Sequence, residues 1–364
     1  MEYEFTGVNE ALVVLCRELL KNHVVRTLGG FQKNTSARCL EFPEPVTVKI
    51  QDPTARAVLI PARKWNPILP AAESLWMILG SNDLDSLPGR YVKNLYTYSD
   101  DGHTWRAGYG SRLRRYNGST EQYYEKADSD PREERYVDQF RFVIDLLKKD
   151  PSTREAMLSI HDPMKDDQVG LVTRDQPCTR TIQFMSVEDK MNGYVTMRSN
   201  DLIYGASAVN WTNFTFMLEY MSRLLRVPMG GYYHFASNLH VYESKLSLVE
   251  ELARVDIEKA REYDHMLSYR VDVEDEKFPC SLIEFDRLCR LVYLAEKHIY
   301  EHKKESDVID YLNRNYEFPH QLFYEWVGMF YWKNVGKSFD YLNSHGINRN
   351  SVTLSRVLFL MNDN

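Results

Sequence analysis

Cys178 directly follows a proline and opens a strand-like run in DQPCTRTIQF, which makes it the candidate nucleophile of this chain. Arg174 and Arg180 lie close to it in sequence. A positive field lowers a thiol pKa and enlarges the thiolate fraction, the form that attacks. A buried structural cysteine fits the same segment equally well. No local signature pairs Cys178 with a histidine as thiol proteases do. His234 and His240 lack zinc-ligand spacing with any cysteine pair, so no metal site is expected. Further on, MRSND places Arg198 and Ser199 at a strand end. A guanidinium fork and a hydroxyl both donate to phosphate oxygens, although a solvated strand end has the same composition.

The elements that must position these residues follow from hydrophobic period. Residues 9–22 read as a short helix with an apolar face. VTVKI and AVLI, within 44–60, read as strands. In NPILPAAESLWMILG, Ala72, Trp76 and Leu79 form one helical stripe, and Gly80 suits the C-terminal cap. Residues 81–132, rich in Asp, Gly, Tyr and Ser, read as loops around a binding site. Residues 133–148 read as a helix that stops at Asp150-Pro151. REAMLSI and RTIQFMSV read as strands, and a turn at Glu188–Gly193 leads into a third, YVTMRS, to make a hairpin. Phe214–Leu225 is an amphipathic helix ended by Pro228 and Gly230–Gly231. The run 231–242 reads as one strand, and from about 245 the pattern is helical, as at 284–304.

Composition bounds the rest. The 364 residues are 43% hydrophobic and 13% aromatic, enough to bury a large core. A net charge of -7 gives no broad attraction to nucleic acid or anionic membrane, so a bound anion needs a local arginine cluster. No apolar run reaches the roughly 20 residues of a membrane span, and the start lacks the pattern of a secretory signal. The five cysteines are scattered, without a C-x-x-C pair, which points to a reducing compartment. N-x-S/T sequons begin at Asn34, Asn117, Asn210 and Asn213, and without export they carry no meaning.

In order along the chain, ESLWMILG, GYGSRLR, DPSTREA, PCTRTIQF, RSND with the asparagine beyond it, and LHVY together resemble the motif series of the thymidylate synthase family. Six blocks in one order over about 170 residues are specific where no single block is. The resemblance covers roughly 20–243. It implies an α/β (α+β) fold, a mixed sheet flanked by helices with two subunits packed sheet to sheet. A catalytic core at 1–243 and a helical extension at 244–364 are expected.

By that resemblance Cys178 is the nucleophile. Glu73 is similar to the glutamate that orders water and moves protons around the pyrimidine, and Tyr109 and Asn210 are expected with it among the catalytic residues. Arg198 and Ser199 resemble phosphate ligands, and Arg26, in VVRTLGG, matches the N-terminal arginine more loosely. Arg154 resembles an arginine that crosses a homodimer to the neighbour's phosphate. Asn210 resembles the asparagine that reads the base, His240 and Tyr242 the pair on the sugar 3′ hydroxyl, and Gln183 a further substrate-side residue. Tyr109, Trp76, Asp201 and Gly205, with Glu73, fall on the side that the family gives to folate.

The implied co-substrate is 5,10-methylenetetrahydrofolate, and the other partner is a pyrimidine nucleoside monophosphate. Thiolate addition at carbon 6 turns carbon 5 into an enolate able to attack a one-carbon electrophile, and the charge developing on O4 needs a donor. The methylene intermediate then takes either hydride, giving a methyl group, or water, giving a hydroxymethyl group.

Four departures bear on that choice. Thr179 replaces the histidine that usually follows the nucleophile, and Glu155 a second arginine after Arg154. GASAVN is one residue longer than G-x-x-x-N, so Asn213 rivals Asn210. The chain ends LFLMNDN, unlike the family's A-V tail that closes over folate, from which a wetter site is expected. An asparagine amide can donate to O4 and accept from N3–H of uracil, whereas relatives acting on cytosine resemble one another in having aspartate there. The expectation is a cytoplasmic dUMP hydroxymethyltransferase (host cytoplasm if phage-encoded). Thymidylate synthase, a (d)CMP hydroxymethylase and a non-catalytic nucleotide sensor are the alternatives.

Overall fold

Alternation of apolar and polar residues along Thr179–Val187 and Lys190–Met197 builds the centre of the main sheet in this computed structural model. The structure describes residues 1–27, 37–116, 136–168, 170, 171, 173–304, 307–348 and 355–362. The sequons at Asn34 and Asn117, and parts of the expected loop 81–132 and helix 133–148, lie outside the described residues. The strands are β1 (Glu2–Phe5), β2 (Val24–Thr27), β3 (Arg38–Glu41), β4 (Val46–Ile50), β5 (Met157–Ser159), β6 (Thr179–Val187), β7 (Lys190–Met197), β8 (Asn200–Asp201), β9 (Met229–Ala236) and β10 (Leu239–Tyr242). Six form one mixed sheet in the order β1-β4-β9-β7-β6-β5, and four a second sheet, β2-β3-β10-β8.

The helices are α1 (Val8–Lys21), α2 (Ile68–Ile78), α3 (Leu87–Tyr91), α4 (Tyr109–Arg114), α5 (Gln139–Lys149), α6 (Pro163–Asp166) and α7 (Trp211–Leu225). Beyond them come α8 (Leu246–Ala253), α9 (Ile257–Leu267), α10 (Leu282–His302), α11 (Val308–Asn315), α12 (Gln321–Asn334), α13 (Asp340–Ser344) and α14 (Arg356–Asn362).

One face of the main sheet is covered by α7, which packs on β7 and β9. Ile182, Val195, His234 and Val48 lie in one register row and are all buried. The row beside it, Met157, Gln183, Tyr194, Tyr233 and Lys49, points to the other face. There Tyr194 and Tyr233 stack at 4.9 Å, and Met157 and Phe235 remain 42% and 37% exposed. The β6–β7 hairpin turns on two residues, Glu188 and Asp189, both at positive φ (51° and 57°). This is the geometry that matches strand twist, and it makes the turn tighter than the expected Glu188–Gly193.

Helix α2 ends with Gly80 at φ 71°, and Ser81 N donates back to Trp76 O at 3.1 Å, as the sequence predicts for a glycine cap. Two strand expectations change. AVLI at 57–60 forms no strand: Asn9 takes the place of a ladder partner, its Nδ2 donating to Ala57 O at 2.9 Å and its Oδ1 accepting from Leu59 N at 2.8 Å. The run 231–242 is two strands in different sheets, broken at Ser237–Asn238.

Helices from the last third buttress the first. Helices α8 and α9 pack on α1, and α10 and α12 on α2. Trp326 Nε1 donates to Ala71 O at 3.0 Å, and the buried Glu296 of α10 pairs with Arg90 and accepts from Tyr91 Oη at 2.8 Å. The first turn of α1 has no cap of its own, because Gly7 stands at the N-cap. Asp264 of α9 supplies one: Oδ1 accepts from Asn9 N at 2.9 Å and Oδ2 from Glu10 N at 3.0 Å.

Candidate functional site

Cys178 sits where β6 leaves the loop 173–178. Arg198, at the end of β7, reaches under that loop: its Nε donates to Pro177 O at 3.0 Å and its Nη2 to Gln176 O at 3.2 Å. Its backbone N donates to Cys178 O at 2.9 Å. The thiol is half-buried, and burial pushes its pKa up while Arg198 and then Arg180 pull it down. The expected lowering is therefore not realised in the free chain. Desolvation outweighs the two guanidinium groups, and Arg198 rather than Arg174 is the larger opposing charge.

Tyr109, the first residue of α4, stands beside the thiol, and its hydroxyl accepts from Thr179 N at 3.2 Å. Burial, with the Cys178 and Glu73 charges adding to it, pushes this phenol up to about 12. Glu73, on α2, is pushed up to about 7 by burial, and Asn213 Nδ2, donating to Oε2 at 3.0 Å, opposes that rise. Such a carboxyl changes protonation state near neutral pH, as a proton carrier must.

The extra residue between Gly205 and Asn210 is taken up by a π-helical stretch, Leu202–Asn210, which runs directly into α7. Such wide turns occur frequently at functional sites. The two rival asparagines then differ. Asn213 has both ends of its amide engaged, with Oδ1 accepting from Ser74 Oγ at 3.0 Å, and is buried. Asn210 is half-buried, its Oδ1 accepts from Asn200 Nδ2 at 2.8 Å, and its Nδ2 makes no hydrogen bond to another described residue.

The second sheet gathers the remaining polar residues. Arg26, Cys39 and Tyr242 share one cross-strand row, and His240 pairs with Glu41. Arg26 Nε donates to both Glu41 oxygens, at 2.9 and 2.8 Å. Burial lowers the His240 pKa, and His240 Nε2 stands 4.0 Å from Asp201 Oδ2. His240 Nδ1 and Asp201 Oδ2 are buried without a hydrogen-bond partner among the described residues. Orphaned polar atoms of this kind need a partner from outside. Ser199 Oγ donates weakly to Asn238 Oδ1 at 3.4 Å.

Three expected site residues stand apart. Trp76 is 2% exposed, its indole N–H donates to Asp83 O, and it packs edge-on against Trp105; a ligand has no open face of it to meet. Gln183 lies on the uncovered face of the sheet and donates to Arg154 O at 2.8 Å, so it braces Arg154. Arg154 itself is exposed, and its side chain makes no hydrogen bond to another described residue.

Sequence reasoning passed over Asn200, His234 and Asp175. In the sequence Asn200 is one letter of RSND, and His234 has no zinc-ligand spacing. Asp175, three residues before the thiol, is pushed up to about 6 by burial and accepts from Ala107 N at 3.0 Å. Among the described residues no group of three metal-capable side chains comes together, and no helix is long and apolar enough to cross a membrane.

A family model described as thymidylate synthase matches residues 35–277. The deoxyuridylate hydroxymethyltransferase of Bacillus phage SP01 is 35% identical over 198 residues, 54% of this chain and 49% of that protein. The enzyme of the same name from Pseudomonas phage M6 is 34% identical over 213 residues, 58% and 55% of the two chains. The chain thus spans about half the length of the curated relatives it matches. Among solved structures, a thermostable thymidylate synthase A from Bacillus subtilis superposes with a TM-score of 0.52 at 18% identity, over 69% of this chain and 85% of that one. At that identity the likeness speaks for the fold alone, a mixed sheet flanked by helices, as expected from the sequence.

Proposed function

We propose, for a chain that belongs to the thymidylate synthase family, that it transfers a one-carbon unit to carbon 5 of dUMP and yields 5-hydroxymethyl-dUMP. The observation that carries the reading is the seating of Cys178. The Arg198 guanidinium braces its loop, the Tyr109 hydroxyl accepts from the N–H of the next residue, Thr179, and burial pushes Glu73 up to about 7.

In this reading phosphate binding draws on Arg198, Ser199 and Arg26, the last released from Glu41. A thiolate at Cys178 adds to carbon 6, and Asn210 meets the base edge through its free Nδ2. Protons reach and leave O4 through Glu73, and His240 with Tyr242 take the sugar hydroxyl. Methylenetetrahydrofolate, when bound, supplies the one-carbon unit. Asp201 Oδ2, buried without a partner among the described residues, fits an N–H-bearing ring of the folate, and Gly205 lets the chain pass close to Asn200 and Asn210. Water then completes the hydroxymethyl group, the activity for which the phage relatives are named.

Residues 1–243 carry this chemistry and 244–364 brace it, a division supported by the contacts of Trp326 and Glu296 with the helix α2 region. A homodimer is supported by the uncovered sheet face with Tyr194, Tyr233 and Phe235, from whose edge Arg154 can enter a neighbour's phosphate site. Such an enzyme works in the cytoplasm, where nucleotide and folate pools are found.

The test is incubation with dUMP, dCMP, UMP or CMP and methylenetetrahydrofolate, with mass analysis of both products. A 5-hydroxymethyl nucleotide from dUMP, with tetrahydrofolate, is the expected result. A 5-methyl nucleotide with dihydrofolate would make the chain a thymidylate synthase, and turnover of dCMP a cytidylate hydroxymethylase. No product from any of the four would leave a nucleotide-binding protein.

A further inference from the structure

Behind Asn210 runs a buried line of polar groups that the reaction does not use. Tyr232 Oη lies 2.8 Å from His234 Nδ1, His234 Nε2 lies 3.2 Å from Asn200 Oδ1, and Asn200 Nδ2 lies 2.8 Å from Asn210 Oδ1. Tyr232, His234 and Asn200 are 0%, 1% and 3% exposed, so water does not interrupt the line. We propose that Asn200, polarised through His234 by Tyr232, is the positioning residue that fixes which way round the Asn210 amide faces, and so selects uracil over cytosine. This rests on the reading that Asn210 meets the base.

The direction of the line follows from hydrogen-bond valence. A buried hydroxyl proton needs an acceptor, and for Tyr232 the one within reach among the described residues is His234 Nδ1. Burial pushes His234 down to about 3, so the ring stays neutral and carries a single proton. With Nδ1 accepting, that proton sits on Nε2 and is donated to Asn200 Oδ1. The Asn200 amide is thereby oriented, and its Nδ2 donates to Asn210 Oδ1. Asn210 is left with Nδ2 foremost, plus one free lone pair on Oδ1. That edge matches O4 and N3–H of uracil. Cytosine presents a donor at position 4 and an acceptor at N3, so it meets the amide the wrong way round. Turning Asn210 over would set two amide groups donor to donor at 2.8 Å.

The packing enforces the same arrangement. A side chain at Gly205 would place its Cβ 2.7 Å from Asn200 Nδ2 and 3.0 Å from Asn210 Oδ1. The π-helical stretch that carries Gly205 also brings Asn210 back to Asn200.

The experiment measures dissociation constants of dUMP and dCMP by calorimetry, without folate, for the full chain and for Asn200→Ala, Tyr232→Phe and Asn210→Ala. The expected result is a dUMP preference that falls about tenfold in Asn200→Ala, the worth of one hydrogen bond to a fixed partner, and by about threefold or more in Tyr232→Phe. The fall comes from weaker dUMP and tighter dCMP binding together. A merely structural role would weaken both nucleotides alike, and that outcome overturns the proposal. So does an unchanged ratio in Tyr232→Phe, a variant that keeps the packing, when Asn210→Ala changes it. If Asn210→Ala leaves the ratio untouched, or the wild type binds neither nucleotide, the reading of Asn210 itself fails and takes the relay with it.

Discussion

Glu73 Oε2 accepts a hydrogen bond from Asn213 Nδ2 at 3.0 Å, and this contact ties helix α2 to α7 one turn beyond Asn210. It also holds a carboxyl that burial has pushed up to about 7 in an orientation fixed from behind. Its folded pKa is raised above the unfolded value. Its contribution to stability is therefore fully present below about pH 4.5 and lost as pH rises through 7. Glu73→Gln removes this dependence. Between pH 4.5 and 8 the wild type is expected to lose roughly 3 kcal/mol at most more than the variant, read by urea unfolding at each pH. The same variant should lose most of its turnover.

Cys178→Ala separates chemistry from binding. Turnover is expected to fall by roughly 10⁴-fold or more, as for other enzymes that lose their nucleophile. Nucleotide affinity should be largely kept, because Arg198 and His240, proposed to hold the phosphate and the sugar, are untouched. The wild type, and not the variant, should gain mass when incubated with a 5-fluoro-substituted dUMP and methylenetetrahydrofolate. A wild type that stays unlabelled contradicts the covalent mechanism.

Arg198 is the largest charge lowering the thiol pKa. Its replacement in Arg198→Gln should raise that pKa, so the thiolate fraction falls at any pH below it. Alkylation of Cys178 by iodoacetamide at pH 8 is expected to slow on the order of tenfold, and the KM for nucleotide to rise. An unchanged alkylation rate would mean that Arg180 alone sets the field.

Glu296 tests whether the last third is a brace. Glu296→Ala leaves Arg90 without its buried carboxylate and removes the acceptor of Tyr91. A loss of about 3–5 kcal/mol in unfolding free energy is expected. The double change Arg90→Leu with Glu296→Leu should be milder. A double loss equal to the sum of the Arg90→Leu and Glu296→Leu losses would show that the pair is not coupled.

The helices α1, α2, α7 and α10 were legible because each repeats its apolar face over several turns, with Gly80 marking one end. The family blocks name Cys178, Glu73 and Tyr109 as candidates, and it is the fold that brings them within electrostatic reach of one another, from β6, α2 and α4. What was not legible depends on partners that only folding supplies. AVLI reads as a strand, yet Asn9 takes its ladder bonds. The residues Leu87–Tyr91 and Lys93–Tyr98 read as loop because Pro88 and Gly89 hide short helical turns. Asn200 and His234 carry no sequence signal for their role. Their meaning lies in a line of distances from β9 through β8 to Asn210. Trp76 looked like a ligand wall because its motif is shared, and it is core because Asp83 and Trp105 close over it.

The carboxylate that closes the first turn of α1 lies about 255 residues further along the chain. A ribosome working at about 5–20 residues per second reaches it some 13 to 50 seconds after making the helix. Until then α1 emerges with its leading N–H groups open and no α9 to lie against. The amino end of this protein must therefore wait for a late arrival before it locks, and any piece cut short of Asp264 carries an N-terminal helix without its stopper.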